Sequence, residues 1–333
     1  MNCATEKTER APLRYYAGPM EGITNRLYRQ THRRYFPGAD KYFAPFLSPT
    51  RDFRFTPHVL EELLPELEEA APLVPQLLVN SAEPFLDAAR ELEALGFREA
   101  NLNLGCPSRT VTAKRKGAGL LADPAALDRL LARVFSGIGG IRVSVKTRMG
   151  IAAPEEFAAL LAVFDRYPIA ELTVHARVQE DFYRRPAAPE ALARYAADVA
   201  APFCYNGDLL TQEDAARILP LFPRAEAAML GRGLIADPAL ILRLRGQRAP
   251  EKSVYRAFHD ELAEGYRAMG WDARAVLCHM KEIWTYMAGL FAGSEREAKR
   301  IRKANTLEAY ADAVDAIFAL PLRSETENGK ETH

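Results

Sequence analysis

EANLNLG, residues 99–105, is a short apolar run in which asparagine alternates with leucine before a glycine ends it. A run of this length and boundary predicts a buried β-strand. Similar runs recur along the chain with helical patterns between most of them. These further runs are RYYAGPM (14–20), KYFAPFL (41–47), LVPQLLV (73–79), RVSVKTR (142–148), ELTVHAR (171–177), PFCYNG (202–207) and EAAMLGR (226–232).

Amphipathic patterns predict helices between these strands. Residues 84–96 repeat apolar residues at helical spacing and end at Gly96, and residues 124–138 follow Asp123, a suitable N-cap. Eight strands with mostly helical connections predict an α/β protein with a (β/α)8 TIM barrel. A doubly wound sheet is the alternative, but it favours G-x-G-x-x-G after the first strand, where this chain has PMEGIT (19–24).

The predicted barrel covers residues 11–243, and GQRAPEKS (246–253) has the composition of a linker. Beyond it the pattern is wholly helical and predicts a small all-α domain at 254–320. The polar residues 324–333 are expected to form a disordered tail. One face of the first C-terminal helix is expected to be apolar, with Phe258, Leu262, Tyr266 and Met269.

The composition is that of an ordinary soluble protein. The chain has 333 residues, 48% hydrophobic and 26% charged, with a formal net charge of zero. Because the whole protein has no overall attraction to polyanions, a nucleic-acid surface would have to be local. No signal peptide and no apolar run of transmembrane length is visible, so we expect a cytoplasmic protein without a membrane partner.

The four cysteines are Cys3, Cys106, Cys204 and Cys278, and none forms a C-x-x-C pair. Their scatter argues against a zinc cage, and we expect no metal site and no disulfide. Cys204 and Cys278 have apolar neighbours and are expected in the core, whereas Cys3 is expected in a frayed end.

Residues able to bind ligands collect where the strands end. In such barrels the carboxyl ends of the strands surround the active site, and packing does not explain polar residues gathered at one rim. In chain order the candidates are Pro19, Met20, Glu21, Gln76, Asn103, Cys106, Lys146, His175, Arg177, Asn206, Gly207, Asp208, Gly231 and Arg232.

The last two strands end in NGD (206–208) and GRG (231–233). One glycine turn after a strand is ordinary. Glycine turns on both the seventh and eighth strands indicate a phosphate site, where backbone N–H groups and Arg232 would bind the anion.

Lys146 is either a cation beside an electron-rich ring or a strand-end lysine reaching solvent. His175 is either a cofactor ligand or a satisfied core histidine. We favour the cofactor role for both.

Cys106 has three interpretations. An ordinary thiol is mostly protonated near neutral pH and can donate a proton. A nucleophile would need an activating histidine, which is absent nearby in sequence. A half-buried structural cysteine is the third.

Two segments are rich in basic residues. The loop 109–116 next to Cys106 has four of them, and the helical segment 296–303 has five, so each segment either contacts phosphates or is a solvated face. Trp284 and Tyr286 either pack in the core or stack on bases.

The chain resembles the tRNA dihydrouridine synthase family over nearly its whole length. Gly18 and Asn25 depart from the residues common there. The resemblance rests on GPMEGITNRLYR (18–29), NLNLGCPSRTVTAKRKGAGLLADP (101–124), VKTRMG (145–150), TVHAR (173–177), YNGD (205–208), LGRG (230–233) and LCHMKEIWTYMAGL (277–290), in the family's order and spacing.

The resemblance implies a flavin-binding barrel, a helical tRNA-binding domain and a monomer. FMN would lie across the barrel mouth, and Cys106 would be the proton donor. Asn103 would orient the uracil, with Arg177 and Tyr183 as further substrate contacts. Residues implied to hold the flavin are Pro19, Met20, Glu21, Gln76, Lys146 and His175, and those implied at its phosphate are Asn206, Gly207, Asp208, Gly231 and Arg232.

The implied reaction reduces the C5–C6 double bond of uridines in tRNA with hydride from FMN that NADPH has reduced. The sequence leaves two other functions open. A flavin barrel could act on a small molecule such as dihydroorotate or an enone, but the basic loop and helical domain would then have no role. A non-catalytic tRNA-binding protein could keep the barrel as scaffold, although the set Cys106, Lys146, His175 and Arg232 argues against it.

Overall fold

The structure is a computed structural model that describes residues 11–64 and 71–323. In these residues nine parallel strands form one sheet that curls into a nearly closed barrel, in the order β3-β2-β1-β9-β8-β7-β6-β5-β4. The expectations for Cys3 and for the tail at 324–333 lie outside the described residues. The strands are β1 (Arg14–Ala17), β2 (Lys41–Phe43), β3 (Leu73–Val74), β4 (Gln76–Leu77), β5 (Glu99–Leu104), β6 (Arg142–Arg148), β7 (Leu172–His175), β8 (Phe203–Asn206) and β9 (Ala227–Leu230).

Pro75 divides the predicted third strand, LVPQLLV, into β3 and β4. A proline has no N–H to donate to a sheet, so the pairing changes partner at this residue. β3 pairs with β2, and β4 pairs with β5. The carbonyl of Pro75 still accepts from Asn101 N at 2.9 Å. β3 and β4 are the two end strands of the sheet, and Pro75 links them along the chain. The predicted barrel is therefore confirmed, with its third strand divided in two.

Helices connect most of the strands, and two predicted boundaries are confirmed. The side chain of Asp123 accepts from Ala126 N at the start of α5, and Gly96 follows α3 with a φ of 99°, which glycine adopts without strain. The barrel helices are α1 (Arg26–Tyr35), α2 (Pro57–Leu63), α3 (Ala82–Ala94), α4 (Arg109–Thr112), α5 (Pro124–Gly137), α6 (Phe157–Phe164), α7 (Pro189–Ala196), α8 (Gln212–Ile218), α9 (Arg232–Ala236) and α10 (Leu240–Leu244).

In the described residues up to 323, four α-helices follow the barrel: α11 (Lys252–Ala268), α12 (Ala273–Met287), α13 (Glu295–Lys303) and α14 (Leu307–Ala319). They share one hydrophobic cluster with barrel residues of α1, α9 and α10. The ring of Phe258 lies 5.7 Å from that of Tyr28 and 5.2 Å from that of Phe36, edge-on to both. This packing joins the C-terminal helices to the barrel. Within the described residues, no helix has both the length and the apolarity to cross a bilayer.

Two expectations about the C-terminal helices are wrong. Met269 is 43% exposed, because α11 ends before it and Tyr266 is the last buried residue of the apolar face. Cys278 is exposed, because α12 turns Leu277 and Met280 into the core and leaves Cys278 on the opposite face. Cys204, by contrast, is buried as expected.

The structure explains three residues that were noted in the sequence: Trp284, Gly18 and Asn25. Trp284 is 2% exposed and donates from Nε1 to the hydroxyl of Tyr310 at 2.9 Å, so it is a core residue and does not stack on bases. Packing explains why position 18 is a glycine, because a Cβ there would lie 2.9 Å from Cγ of Met229. Asn25 is the N-cap of α1 and accepts from Tyr28 N at 3.0 Å.

We predict that Phe258→Ala lowers the free energy of unfolding by about 3–5 kcal/mol, because it removes a fully buried ring between α1 and α11 and leaves a cavity. Met269→Ala, which changes an exposed residue just after the same helix, should change it by less than about 0.5 kcal/mol. Urea unfolding followed by circular dichroism measures both variants. Equal small losses would contradict the described packing of the helices on the barrel.

Candidate active site

Two adjoining cavities open at the carboxyl ends of the strands. The larger has a volume of about 540 Å³, which is in the range of ligand pockets, and the smaller about 40 Å³. Both are lined by Pro19, Met20, Lys146, His175 and Tyr183. Of the other predicted site residues, the larger cavity has Glu21, Gln76, Asn103 and Cys106, and the smaller has Asn206, Gly207, Asp208, Gly231 and Arg232.

The parallel register brings these side chains together. Asn103 on β5 lies beside Lys146 on β6, and His175 on β7 lies beside Asn206 on β8. Because neighbouring strands of a parallel barrel run in the same direction, residues far apart in the sequence meet at one rim. The rim is therefore built by the barrel itself.

A row of buried amides lies below the larger cavity. The amide of Asn103 donates to Oε1 of Gln76 at 2.6 Å, and Nε2 of Gln76 donates to Oδ1 of Asn101 at 2.8 Å. Nδ2 of Asn101 then donates to Oγ of Ser144 at 2.9 Å. Buried polar groups that satisfy each other in this way are held in fixed orientations.

The side-chain oxygen of Asn103 holds the loop that contains Cys106. Its Oδ1 accepts from the backbone N–H of Gly105 at 3.0 Å and of Cys106 at 2.9 Å. The loop folds back closely at Gly117, where a Cβ would lie 2.7 Å from the carbonyl oxygen of Cys106 and φ is 56°. Only glycine fits there. The carbonyl of Cys106 also accepts from Ala118 N at 3.0 Å.

Cys106 is half-buried, and its thiol keeps its proton at neutral pH. Burial raises the pKa of Cys106 above its usual value, and the nearby carboxylate of Glu21 raises it further. A hydrogen bond from the backbone of Ser108 and the cations of Arg148 and Lys146 only partly oppose this. In the described part of the chain, no histidine nitrogen is hydrogen-bonded to the sulfur. The site therefore suits a proton donor better than a thiolate nucleophile.

Lys146 points its ammonium group into the site rather than to solvent. Nζ donates to Oδ1 of Asn206 at 2.8 Å, and Nδ2 of Asn206 donates to the carbonyl of Met229 at 2.9 Å, which fixes the amide with its oxygen toward the lysine. Burial lowers the pKa of Lys146 to about 8, and Arg148 contributes. The lysine is thus a partly buried cation that a bound anion would stabilise.

The smaller cavity has the groups that an anion needs. Within the described residues, the backbone N–H groups of Gly207, Asp208 and Gly231 donate to no other group of the chain. Arg232 is nearby and pairs with the carboxylate of Asp208. That carboxylate cannot itself donate to a phosphate, so its contribution here is to hold Arg232.

Arg177 lines neither cavity. Its side chain is 2% exposed and lies behind His175, with Nη1 at 2.9 Å from Nε2 of the histidine. The structure therefore places Arg177 behind the lining of the two cavities, and its contact with a substrate stays a prediction. Tyr183, the other weaker candidate, is 51% exposed and lines both cavities.

Arg148 is the principal residue that the sequence analysis missed. It is fully buried and donates to three backbone carbonyls, from Nε to Gly105 at 2.9 Å and from Nη1 to Val178 at 2.8 Å and Phe182 at 3.0 Å. It thus joins the cysteine loop to the segment before Tyr183. Its position in VKTR, two residues after Lys146 at the end of β6, was the available signal.

The basic segments singled out in the sequence are at the surface. Arg109, Lys114 and Arg115 of the loop beside Cys106 are exposed, while Lys116 donates to Oγ of Ser48 at 2.8 Å. On α13 the basic side chains are exposed and only Ile301 is buried. Among the residues described here, no group of three or more His, Cys, Asp or Glu side chains could hold a metal ion.

The chain matches a protein family and named relatives over most of its length. The family model described as Dihydrouridine synthase (Dus) matches residues 15–317. A tRNA-dihydrouridine(16) synthase of Cupriavidus necator is 29% identical over 323 residues, covering 91% of this chain and 99% of the relative. Proteins of the same name from Ralstonia nicotianae and Pseudomonas putida are each 31% identical, covering 72% and 73% of this chain and 75% and 77% of theirs.

Solved structures share the barrel at low sequence identity. The old yellow enzyme homologue of Zymomonas mobilis has a TM-score of 0.52 at 15% identity and covers 74% of this chain and 92% of that one. A morphinone reductase variant has a TM-score of 0.50 at 16% identity, with 73% and 90% covered. These likenesses show the fold alone. The family match and the relatives show more: this chain belongs to the dihydrouridine synthase family.

Proposed function

We propose that this protein is an FMN-dependent tRNA-dihydrouridine synthase that reduces the C5–C6 double bond of uridine 16, with NADPH as reductant and Cys106 as proton donor. The observation that carries the proposal is the joint position of Cys106, Lys146 and His175 around one cavity of about 540 Å³. A protonated thiol and a partly buried cation on the wall of one pocket are the groups that such a reduction needs.

The residues of the two cavities fit FMN. Lys146 is a partly buried cation that makes one hydrogen bond within the described residues, so its remaining N–H groups can meet an electron-rich oxygen or ring nitrogen. The smaller cavity has Arg232 and the backbone N–H groups of Gly207 and Gly231, which suit a phosphate. Pro19, Met20, Glu21 and Gln76 border the larger cavity and would lie along the flavin.

FMN, once bound and reduced, supplies the hydride that reaches C6 of the uracil. The task of the protein is to place the base and to deliver the proton. Cys106 Sγ–H gives its proton to C5, and the thiolate that remains is reprotonated from solvent. Because the pKa of Cys106 is raised, the proton stays on the sulfur until it is transferred to C5. Asn103 fixes the loop that carries the thiol. The N–H of its amide that Gln76 does not accept would contact the uracil.

A tRNA substrate would meet exposed basic side chains beside the mouth. The uridine has to leave its stack to reach the cavity, at a cost of a few kcal/mol. Arg109, Lys114 and Arg115 beside the mouth, with the basic face of α13, would contact phosphates of the folded tRNA. We also propose a cytoplasmic location, as expected from the sequence, and a monomer, as the family resemblance implies.

Position 16 is proposed from the relatives, because those from Cupriavidus necator, Ralstonia nicotianae and Pseudomonas putida all have it in their names. The test is to map dihydrouridine in tRNA from cells that lack this protein. Dihydrouridine should disappear at position 16 and return when the gene is restored. Loss at another position would refute the assignment, and loss at none would refute the activity.

We predict that Cys106→Ala still binds FMN and is still reduced by NADPH, but reduces tRNA about 10²–10⁴-fold more slowly, because the positioned acid is lost. Single-turnover reoxidation of the reduced protein by unmodified tRNA measures this. Cys278→Ala, an exposed cysteine on α12, is the matched control and should behave as wild type. Undiminished tRNA reduction by Cys106→Ala would rule out the proton-donor role.

We predict that FMN affinity falls as the pH rises above about 8. The pKa of Lys146 is lowered to about 8, so its charge is present below that pH and lost above it, and an anionic ligand loses its partner. Lys146→Met should bind FMN about 10–100-fold more weakly near neutral pH and should lose this pH dependence.

Titration of FMN into the ligand-free protein at a series of pH values checks the Lys146 prediction. Lys299→Met is the control, since it removes an exposed lysine on α13. It should leave both the affinity and the pH dependence unchanged. An unaltered pH profile in Lys146→Met would show that another group is responsible.

A further inference from the structure

The two ring nitrogens of His175 have different surroundings. Nε2 lies 2.9 Å from Nη1 of Arg177, whose side chain is 2% exposed. A guanidinium has only donors and keeps its proton in proteins, so this hydrogen bond requires a lone pair on Nε2. In the described part of the chain no group is hydrogen-bonded to Nδ1, and the ring borders both cavities.

Arg177 cannot easily turn away from the histidine. Its Nε donates to the carbonyl of Arg185 at 2.8 Å, its Nη1 donates to Oδ1 of Asp208 at 3.0 Å, and its Nη2 donates to Oδ2 of the same carboxylate. Asp208 is held in turn by the N–H of Ala187 at 2.9 Å. A bidentate pair of this kind fixes both the position and the plane of a guanidinium.

The charges around His175 also decide its protonation. Burial lowers the pKa of His175 well below its usual value, and the cations of Lys146, Arg148, Arg177 and Arg232 lower it further. Asp208 is the nearby acid, and although burial opposes ionisation, hydrogen bonds from Arg177 and Ala187 keep the pKa of its carboxyl low. Its charge is shared by two arginines, so it does not offset the cations at the ring.

We propose that Arg177 is a positioning residue that holds His175 as the tautomer with the proton on Nδ1. The imidazole then presents one fixed N–H donor to the cavity, and Arg177 acts through it without touching a ligand. Four of the five N–H groups of Arg177 are used within the protein, which explains why a residue of the barrel rim lies behind the site. The identity of the acceptor, a flavin atom, rests on the proposed function, whereas the tautomer does not.

Histidine tautomers are read directly by long-range ¹H–¹⁵N correlation spectra of protein labelled with [¹⁵N]histidine. The His175→Gln variant identifies the signals of this residue among the six histidines. In ligand-free wild-type protein at neutral pH, Nε2 should show the shift of an unprotonated nitrogen and Nδ1 that of a protonated one. A proton on Nε2, or two averaged shifts, would overturn the proposal.

The arginine is then tested by Arg177→Met, with Arg184→Met as a matched control on an exposed arginine of the same segment. The first should give averaged shifts for His175 and bind FMN about tenfold more weakly, and the second should give wild-type spectra and affinity. A single Nδ1–H tautomer that persists in folded Arg177→Met would show that Arg177 does not set it. If wild-type protein bound no FMN, the proposed cofactor would be wrong, and the ligand-free spectrum would still decide the tautomer.

Discussion

The parallel closure of the barrel is the constraint on which the site depends. Each strand ends at the same rim, so a residue at the end of one strand lies beside the residue at the end of the next. This register places Asn103 by Lys146 and His175 by Asn206, although the chain separates them by tens of residues. Pro75 allows the ring to close, because it lets β3 and β4 pair with different neighbours.

Buried polar groups on this rim hold one another in place. Asn103 uses its oxygen to hold the loop of Cys106 and its nitrogen to reach Gln76, while Asn206 is fixed by Met229 and faces Lys146. The positively charged side chains near the smaller cavity outnumber the negatively charged carboxylate of Asp208. An anionic ligand there would compensate charges that the protein leaves unpaired, which gives the site a physical reason to bind a phosphate-bearing cofactor.

The sequence predicted the barrel and the members of the rim because both follow from local patterns: apolar runs of strand length, glycine turns and polar residues at strand ends. It could not predict what lies behind the rim. Arg177 and Arg148 have the same strand-end pattern as Lys146, but tertiary contacts with Asp208 and with backbone carbonyls turn them inward. Cys278 was misjudged for a related reason, since apolar neighbours in sequence do not say which face of a helix a residue takes.

We propose that the strand ends hold a flavin opposite the thiol of Cys106, and a crystal structure of the protein with FMN is the decisive test. We expect the flavin to occupy the cavity of about 540 Å³, with its phosphate at Gly207, Gly231 and Arg232 and with the sulfur of Cys106 facing the ring. Flavin bound elsewhere, or a sulfur turned away from it, would refute this arrangement.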